Sequence, residues 1–285
     1  MEGIDVACGQ ITWGRDYPRD RVLAEIAQAG YAGAPAGRAA GGTAQAILDQ
    51  YATHGLKPAP GYLGLEWWNA DQRPRQLELA AQQAAFSREL GLTELYVASS
   101  LTPERRALAG QVTATTATPT ESLKRLADLL NEIGRVTLES GVRACFHNHV
   151  GSPVETRDEI DRLFAQVDRD LVFQGADLGH LAWAGDDAVA FTRDYAASIK
   201  TLHLKDIAPA VRAEGVAGRW DYQAFSNHGI FAELGEGLVD YPGVFAALKQ
   251  ASFRGWIVVE TDVTQKASAL DSAIISRNYL KSIGV

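Results

Sequence analysis

Short β-type runs alternate with helical stretches along the whole chain, and this alternation constrains the fold more than any other feature. The runs fall at Ile4–Cys8, about Ala32–Ala36, Lys57–Tyr62, Glu94–Ala98, Arg143–His147, Val172–Asp177, Thr201–Leu204 and Trp256–Glu260. The second is weak, because AGAPAG has almost no β-branched or aromatic side chain. Between the runs, Arg19–Ala29 carries Val22, Leu23, Ile26 and Ala27 on one stripe. Arg73–Leu90 and Glu121–Glu139 are longer, and the latter repeats Leu123, Leu126, Leu129, Leu130 and Ile133 at helical spacing. Thr118, Pro119 and Glu121 supply an N-cap, a first-turn proline and a capping acid, and Thr156 with Glu159 repeats the capping box. Gly30, Gly55, Gly91 and Gly141 stand where left-handed helix ends are wanted, each just before the next strand.

Eight such alternations in 285 residues, with no linker and no shift in composition, predict one α/β domain over residues 1–285. The architecture expected is a (β/α)8 TIM barrel, which typically takes about 250 residues. The irregular stretch from about Ile207 to Val239 is expected to be a functional loop over the barrel mouth. A formal net charge of −8 argues against a nucleic-acid partner. Cys8 and Cys145 fall in predicted strands and read as small buried hydrophobes. With no long apolar run and no basic-plus-apolar N-terminal signal, a soluble cytoplasmic protein without a membrane partner is expected.

Three strand ends carry ligand-type side chains: Asp177 in VFQGAD, His203 in IKTLHLKD and Glu260 in WIVVET. On successive parallel strands they would converge on one rim and hold a divalent metal. Asp177 could instead cap a helix, and Glu260 could pair with an arginine such as Arg254. His147 and His149 lie two apart on a strand end and point the same way, as do His203 and Lys205. Lys205 beside a cation would have a lowered pKa suited to acid–base work. His180, three residues past Asp177, would share the ion, brace Asp177, contact substrate or simply pack. Glu233 and Glu236 face the pocket or are solvated loop charges. Trp13 would give an aromatic wall for a sugar or cyclitol, with core packing as the alternative. Trp67 and Trp68 fit the same rim or a contact between copies in a homo-oligomer.

These strand ends, together with VETRDEIDRL, HLKD, LGEGLVDYP and the final VVE, resemble the xylose isomerase-like barrel superfamily. Within it the chain is similar to inosose (2-keto-myo-inositol) dehydratases and their sugar isomerase/epimerase relatives, from Ile11–Gly14 to Glu260. The resemblance implies a divalent ion (Mn, Co, Mg or Zn) held by Glu, Asp, His and Glu from strands five to eight. Asp177, His203 and Glu260 match the last three. The first has no direct counterpart: either His147 ligates, or Glu155 reaches back from the following loop, and Glu155 is taken as the ligand with His147 beside it. Ala34-Pro35-Ala36 stands where many relatives carry a strand-two glutamate. The implied activity is that of a metal-dependent lyase or isomerase working on a polyhydroxylated ketone through an enediolate. Inosose dehydration is the leading reading, sugar or ketose epimerisation or isomerisation the alternative, and a non-catalytic barrel a third. His147, His149, Lys205 and Glu260 are the expected catalytic groups, and Trp13, His180 and Glu233 the expected substrate contacts.

Overall fold

The structure is a computed structural model that describes residues 3–38 and 41–285. Its strands are β1 (Ile4–Cys8), β2 (Gly33–Pro35), β3 (Lys57–Ala59), β4 (Tyr62–Leu65), β5 (Glu94–Ser99), β6 (Arg143–His147), β7 (Val172–Gln174), β8 (Leu202–Leu204), β9 (Asp206–Ile207), β10 (Phe231–Ala232) and β11 (Gly255–Val259). One sheet runs in the order β3-β2-β1-β11-β8 and another in the order β4-β5-β6-β7, with every pairing in both parallel. The two sheets meet at both ends. Lys57–Leu65 crosses from one to the other at Pro60-Gly61, where proline has no N–H to give and the Gly61 carbonyl is taken by Tyr96 at 2.9 Å. On the other side, parallel bridges Gln174–Ile199 and Asp177–His203 join β7 to β8. The eight strand positions thus succeed one another in chain order, with the last paired to the first.

Helices cover the outer faces. Thr120–Glu139 buries Leu123, Leu126, Leu129, Leu130 and Ile133, the stripe its spacing predicts. Its N-cap residue is Pro119 rather than Thr118, whose hydroxyl donates instead to the Pro153 carbonyl. The capping box of Thr156 and Glu159 is present as expected. Gly30, Gly55, Gly91 and Gly141 all take positive φ. The expected strand at Ala32–Ala36 shrinks to three residues, and Gly33 lets two neighbours close in: a Cβ there would collide with the Lys57 carbonyl and lie 2.8 Å from the Trp256 ring.

Two expectations change in the second half. The runs Val172–Asp177 and Thr201–Leu204 pair as strands over only three residues each, Val172–Gln174 and Leu202–Leu204. The stretch Ile207–Val239 is not irregular. It contains helices Pro209–Gly218 and Tyr222–Asn227 and an antiparallel ribbon of β9 with β10. Pro209 opens the first helix and the Asp221 side chain caps the second, accepting from Ala224 N at 2.8 Å. The buried Asp206 carboxylate fastens the far end by accepting from the backbone N–H groups of Gly235, Gly237 and Val239 at 2.9–3.1 Å.

A small inner cluster of Ala7, Ala59, Tyr96 and Val258 fills the space enclosed by the strands. Above it, at the strands' C-terminal ends, lies a cavity lined by His147, His203, Lys205 and Glu260. Both cysteines are buried and unpaired, and no helix of the described residues is long and apolar enough to cross a membrane.

Candidate active site

Of its two sequence readings, Asp177 shows the helix cap directly and keeps one carboxylate oxygen over. It caps helix Leu178–Ala184, its Oδ1 accepting from His180 N at 3.0 Å. Asn148 holds its backbone in both directions, donating to the Asp177 carbonyl at 3.1 Å and accepting from its N–H at 3.0 Å. The second oxygen, Oδ2, is buried and has no hydrogen-bond partner. Around it stand His147 Nε2, His180 Nε2 and His203 Nδ1, each at 3.9 Å, and Lys205 Nζ at 3.7 Å. Gly179 is needed here for closeness, since a Cβ would collide with Lys205 and push the capped helix off the end of β8.

Lys205 is the hub of the charge. It donates to Glu260 Oε2 at 2.7 Å and to Asp262 Oδ1, and is 2 % exposed. Burial alone would lower its pKa, but Asp262, Glu260 and Asp177 together outweigh burial and hold it well above the usual lysine range. The lowered pKa expected of Lys205 beside a cation concerns the ion-bound chain; without the ion the three carboxylates hold it up. Burial likewise would raise Glu260, but Lys205 and His203 draw it well below the ordinary carboxylate range. Burial pushes Asp177 up to about 6, against the pull of Lys205 and His203.

Three more histidines stand close by, His147 and His149 in the cavity wall and His180 buried behind it. His147 ends β6, its Nδ1 unpartnered, with its ring edge-on to Tyr62, Tyr96 and His203. Burial holds it well below the usual histidine range and so neutral. His149 pairs its Nδ1 with the Val150 carbonyl at 2.7 Å, and burial lowers it to about 4. His180 is fully buried, with no partner for either ring nitrogen. The cavity over these groups holds about 480 Å³ and is also lined by Ile11, Arg15, Pro35, Leu101 and Asp262.

The expected site residues thus divide. Asp177, His147, His149, His180, His203, Lys205 and Glu260 are brought together. Glu155 is not: its Oε1 accepts from Gly110 N at 2.7 Å and its Oε2 from Gly151 N at 2.9 Å, with Arg105 at 3.7 Å. Both of its oxygens are spent on pinning a loop, and it stands in neither group of convergent ligands. Of the two candidates the sequence offered for the first ligand, it is His147 and not Glu155 that lies beside Asp177 and His203. Trp13 also departs from expectation; it is buried with its indole N–H on Glu25 at 2.7 Å, and Ile11 and Arg15 face the cavity instead. Glu233 accepts from Thr264 at 2.6 Å and lies 3.5 Å from Lys266, outside the cavity lining. Trp67 and Trp68 line a separate cavity of about 500 Å³ with Arg105 and Pro153. The sequence reading missed Asn148 and Asp262. Asp262 was within reach, since it follows Glu260 by two residues and period two aligns them.

One atom of each of His147, Asp177 and His203 lies within 4.8 Å of the others. Two imidazole nitrogens beside a buried carboxylate oxygen without a partner make a donor set that fits a divalent ion. Glu260 touches this trio through His203, its Oε2 3.2 Å from Nδ1, rather than standing within it.

Known proteins agree with this architecture. The family described as "Xylose isomerase-like TIM barrel" matches residues 23–283. The inosose dehydratase of Clostridium beijerinckii is 35 % identical over 162 residues, 56 % of this chain and 54 % of that protein, so the match spans about half the length of that relative. The inosose dehydratase of Geobacillus kaustophilus is 28 % identical over 252 residues, covering 87 % of this chain and 82 % of that one. Among solved structures, IolI protein with a bound zinc atom superposes with a TM-score of 0.71 at 15 % identity, over 98 % of this chain and 97 % of that one. The chain belongs to the xylose isomerase-like TIM barrel family.

Proposed function

We propose that this chain is a metal-dependent carbon–oxygen lyase of the inosose dehydratase kind, acting on a cyclic polyhydroxylated ketone. The observation that carries the reading is Lys205, an ammonium held in the wall of the cavity between Glu260 and Asp262, beside the His147–Asp177–His203 group. The names of the Clostridium and Geobacillus relatives support the substrate class, and the zinc in the IolI structure supports a divalent ion.

His147, Asp177 and His203 would hold the ion, which when bound supplies Lewis-acid polarisation of the ketone oxygen. The chain's own groups move the protons. Glu260 has its Oε2 on Lys205 and His203, while Oε1 has no hydrogen bond among the described residues and is the atom available to take the proton α to the ketone. Gly9 gives that oxygen its room, since a Cβ there would lie 2.5 Å from it. The electron pair left on carbon forms an enediolate. As the neighbouring carbon–oxygen bond breaks, Lys205 gives its proton to the departing hydroxyl and water leaves. The remaining enol tautomerises to a dione. Tyr62, Tyr96 and Leu101 wall the cavity and limit competing water.

The test is product analysis by NMR in D2O, with Mn added and an inosose as substrate. Loss of water and a dione product are expected. Solvent deuterium on carbon with the hydroxyl retained would instead identify an epimerase and overturn the lyase reading.

A further inference from the structure

Beyond β1 and β2 a second cavity of about 520 Å³ adjoins the catalytic one, and the two share Ile11, Arg15, Pro35 and Tyr62 in their walls. Their charges differ. Glu260 and Asp262 line the catalytic cavity, whereas the charged residues of its neighbour, among the described residues, are Arg15 and Arg19 alone. In a chain of net charge −8, a cavity wall with two guanidinium groups and no carboxylate is a local reversal of sign. Arg15 is exposed and has no hydrogen bond or ion pair among the described residues. Arg19 is half-buried, with its guanidinium 5.8 Å from the centre of the Tyr51 ring. The third polar group is Gln83, 8 % exposed on helix Arg73–Glu89. Its Oε1 accepts from Arg38 N at 3.3 Å, and because that partner can only donate, the orientation of the amide is fixed. Nε2 then faces Gly37 and Gly61 of the cavity wall, where a Cβ would lie 2.7 Å and 3.3 Å from it. No acceptor meets this buried N–H group. A donor left in that state marks a place for a ligand oxygen. The two glycines keep space in front of it, and Ala34-Pro35-Ala36 puts no acid beside it.

We propose that Arg15, Arg19 and Gln83 form an oxyanion subsite, which holds a phosphate or carboxylate carried by the substrate while its ketone ring lies in the catalytic cavity. Guanidinium forks match the paired oxygens of either group, and an amide N–H adds a further donor. Arg15 stands where the two cavities join, so an anion bound there has the rest of its molecule beside Lys205 and Glu260. The substrate class thereby narrows from a polyhydroxylated ketone to one with an anionic substituent. This inference rests on reading the catalytic cavity as the place where the ketone binds, and not on which reaction follows.

The test is calorimetric titration of the Mn-loaded protein with two pairs of probes, myo-inositol with its monophosphate and D-glucose with D-glucuronate. In at least one pair the charged member is expected to bind about tenfold tighter or better, the worth of one charge-assisted hydrogen bond. Arg15→Gln and Gln83→Met are each expected to cut that ratio by about threefold or more. Equal affinities within both pairs would overturn the subsite. So would a ratio that Arg15→Gln leaves unchanged, which would place the anion on the metal ion. Inorganic phosphate that binds as tightly as the monophosphate, without displacing myo-inositol, would make this a site for a free anion and overturn the assignment to substrate. Failure of the lyase reading would look different, as no dione from any inosose with the binding ratios intact. Arg15 is exposed, so Arg15→Gln decides the matter even if Gln83→Met misfolds.

Discussion

The two halves of the cavity rim are built on opposite terms. Beyond β6, β7, β8 and β11, burial leaves polar atoms unspent: Asp177 Oδ2, His147 Nδ1 and both ring nitrogens of His180. Beyond β1 and β2, most of the polar groups that meet the cavity are spent on the fold, Gln83 Nε2 being a buried exception. Gln10 donates to the Pro35 carbonyl at 2.7 Å, Tyr51 donates to the same oxygen at 2.8 Å, and Thr12 reaches the Thr261 carbonyl at 2.6 Å. Ala34, Pro35 and Ala36 offer no side-chain ligand there at all. The contrast supports the reading above: the proposed ion site draws on atoms left without partners, while the strand-two side serves to shape the cavity.

The sharpest way to break this contrast is Lys205→Met. Removing the ammonium leaves Glu260, Asp262 and Asp177 facing one another, and turnover is expected to fall by about 10²–10⁴-fold. Steady-state kinetics check this, with circular dichroism to show that the fold persists; an activity within tenfold of wild type would remove Lys205 from the chemistry. Asn148→Ala probes the support beneath Asp177. It removes both clamps on that residue's backbone, so metal affinity should drop about 10–100-fold by calorimetric titration.

Acidity gives a smaller, graded effect. Asp177 in the ion-free chain sits at about 6, whereas His147 is held neutral by burial and offers no proton to expel. Below pH 6 an incoming ion must displace the Asp177 proton, so apparent affinity should fall about tenfold for each further pH unit, and stay nearly level above pH 7. Titrations at several pH values test the sign. The smallest effect belongs to the other half of the rim. Gln10→Ala should cost about 1 kcal/mol of stability in a denaturant melt and change turnover less than about threefold. A large loss of turnover there would erase the contrast.

Local signals in the sequence carried most of the framework. The Thr156–Glu159 box, the glycines that end helices and the Leu123–Ile133 stripe are set by neighbours within a few residues, and all appear as read. The strand-end Asp177, His203 and Glu260 were legible for the same reason, since strand direction alone sends them to one rim. What was not legible depends on distant partners. Glu155 was assigned to the ion, but its fate is set by the amide of Gly110, 45 residues away, and by Arg105, itself locked by Glu159 at 2.9 Å. Trp13 was assigned to substrate, but Glu25 on the next helix turns its indole inward. Helix Pro209–Gly218 went unseen because PAVRAEGVAG has too few large apolar residues to mark a stripe. Lys205 was read only beside a cation, and the three carboxylates that surround it, Asp177, Glu260 and Asp262, come from distant parts of the chain.

The account depends above all on which side chain from the β6 end of the sheet joins Asp177 and His203. Calorimetric titration of ion-free His147→Ala and Glu155→Gln with Mn addresses this directly. The geometry predicts that His147→Ala loses the ion bound at Asp177 and His203, while Glu155→Gln is less stable yet binds with near wild-type affinity. Full binding by His147→Ala, with loss in a folded Glu155→Gln, would contradict it.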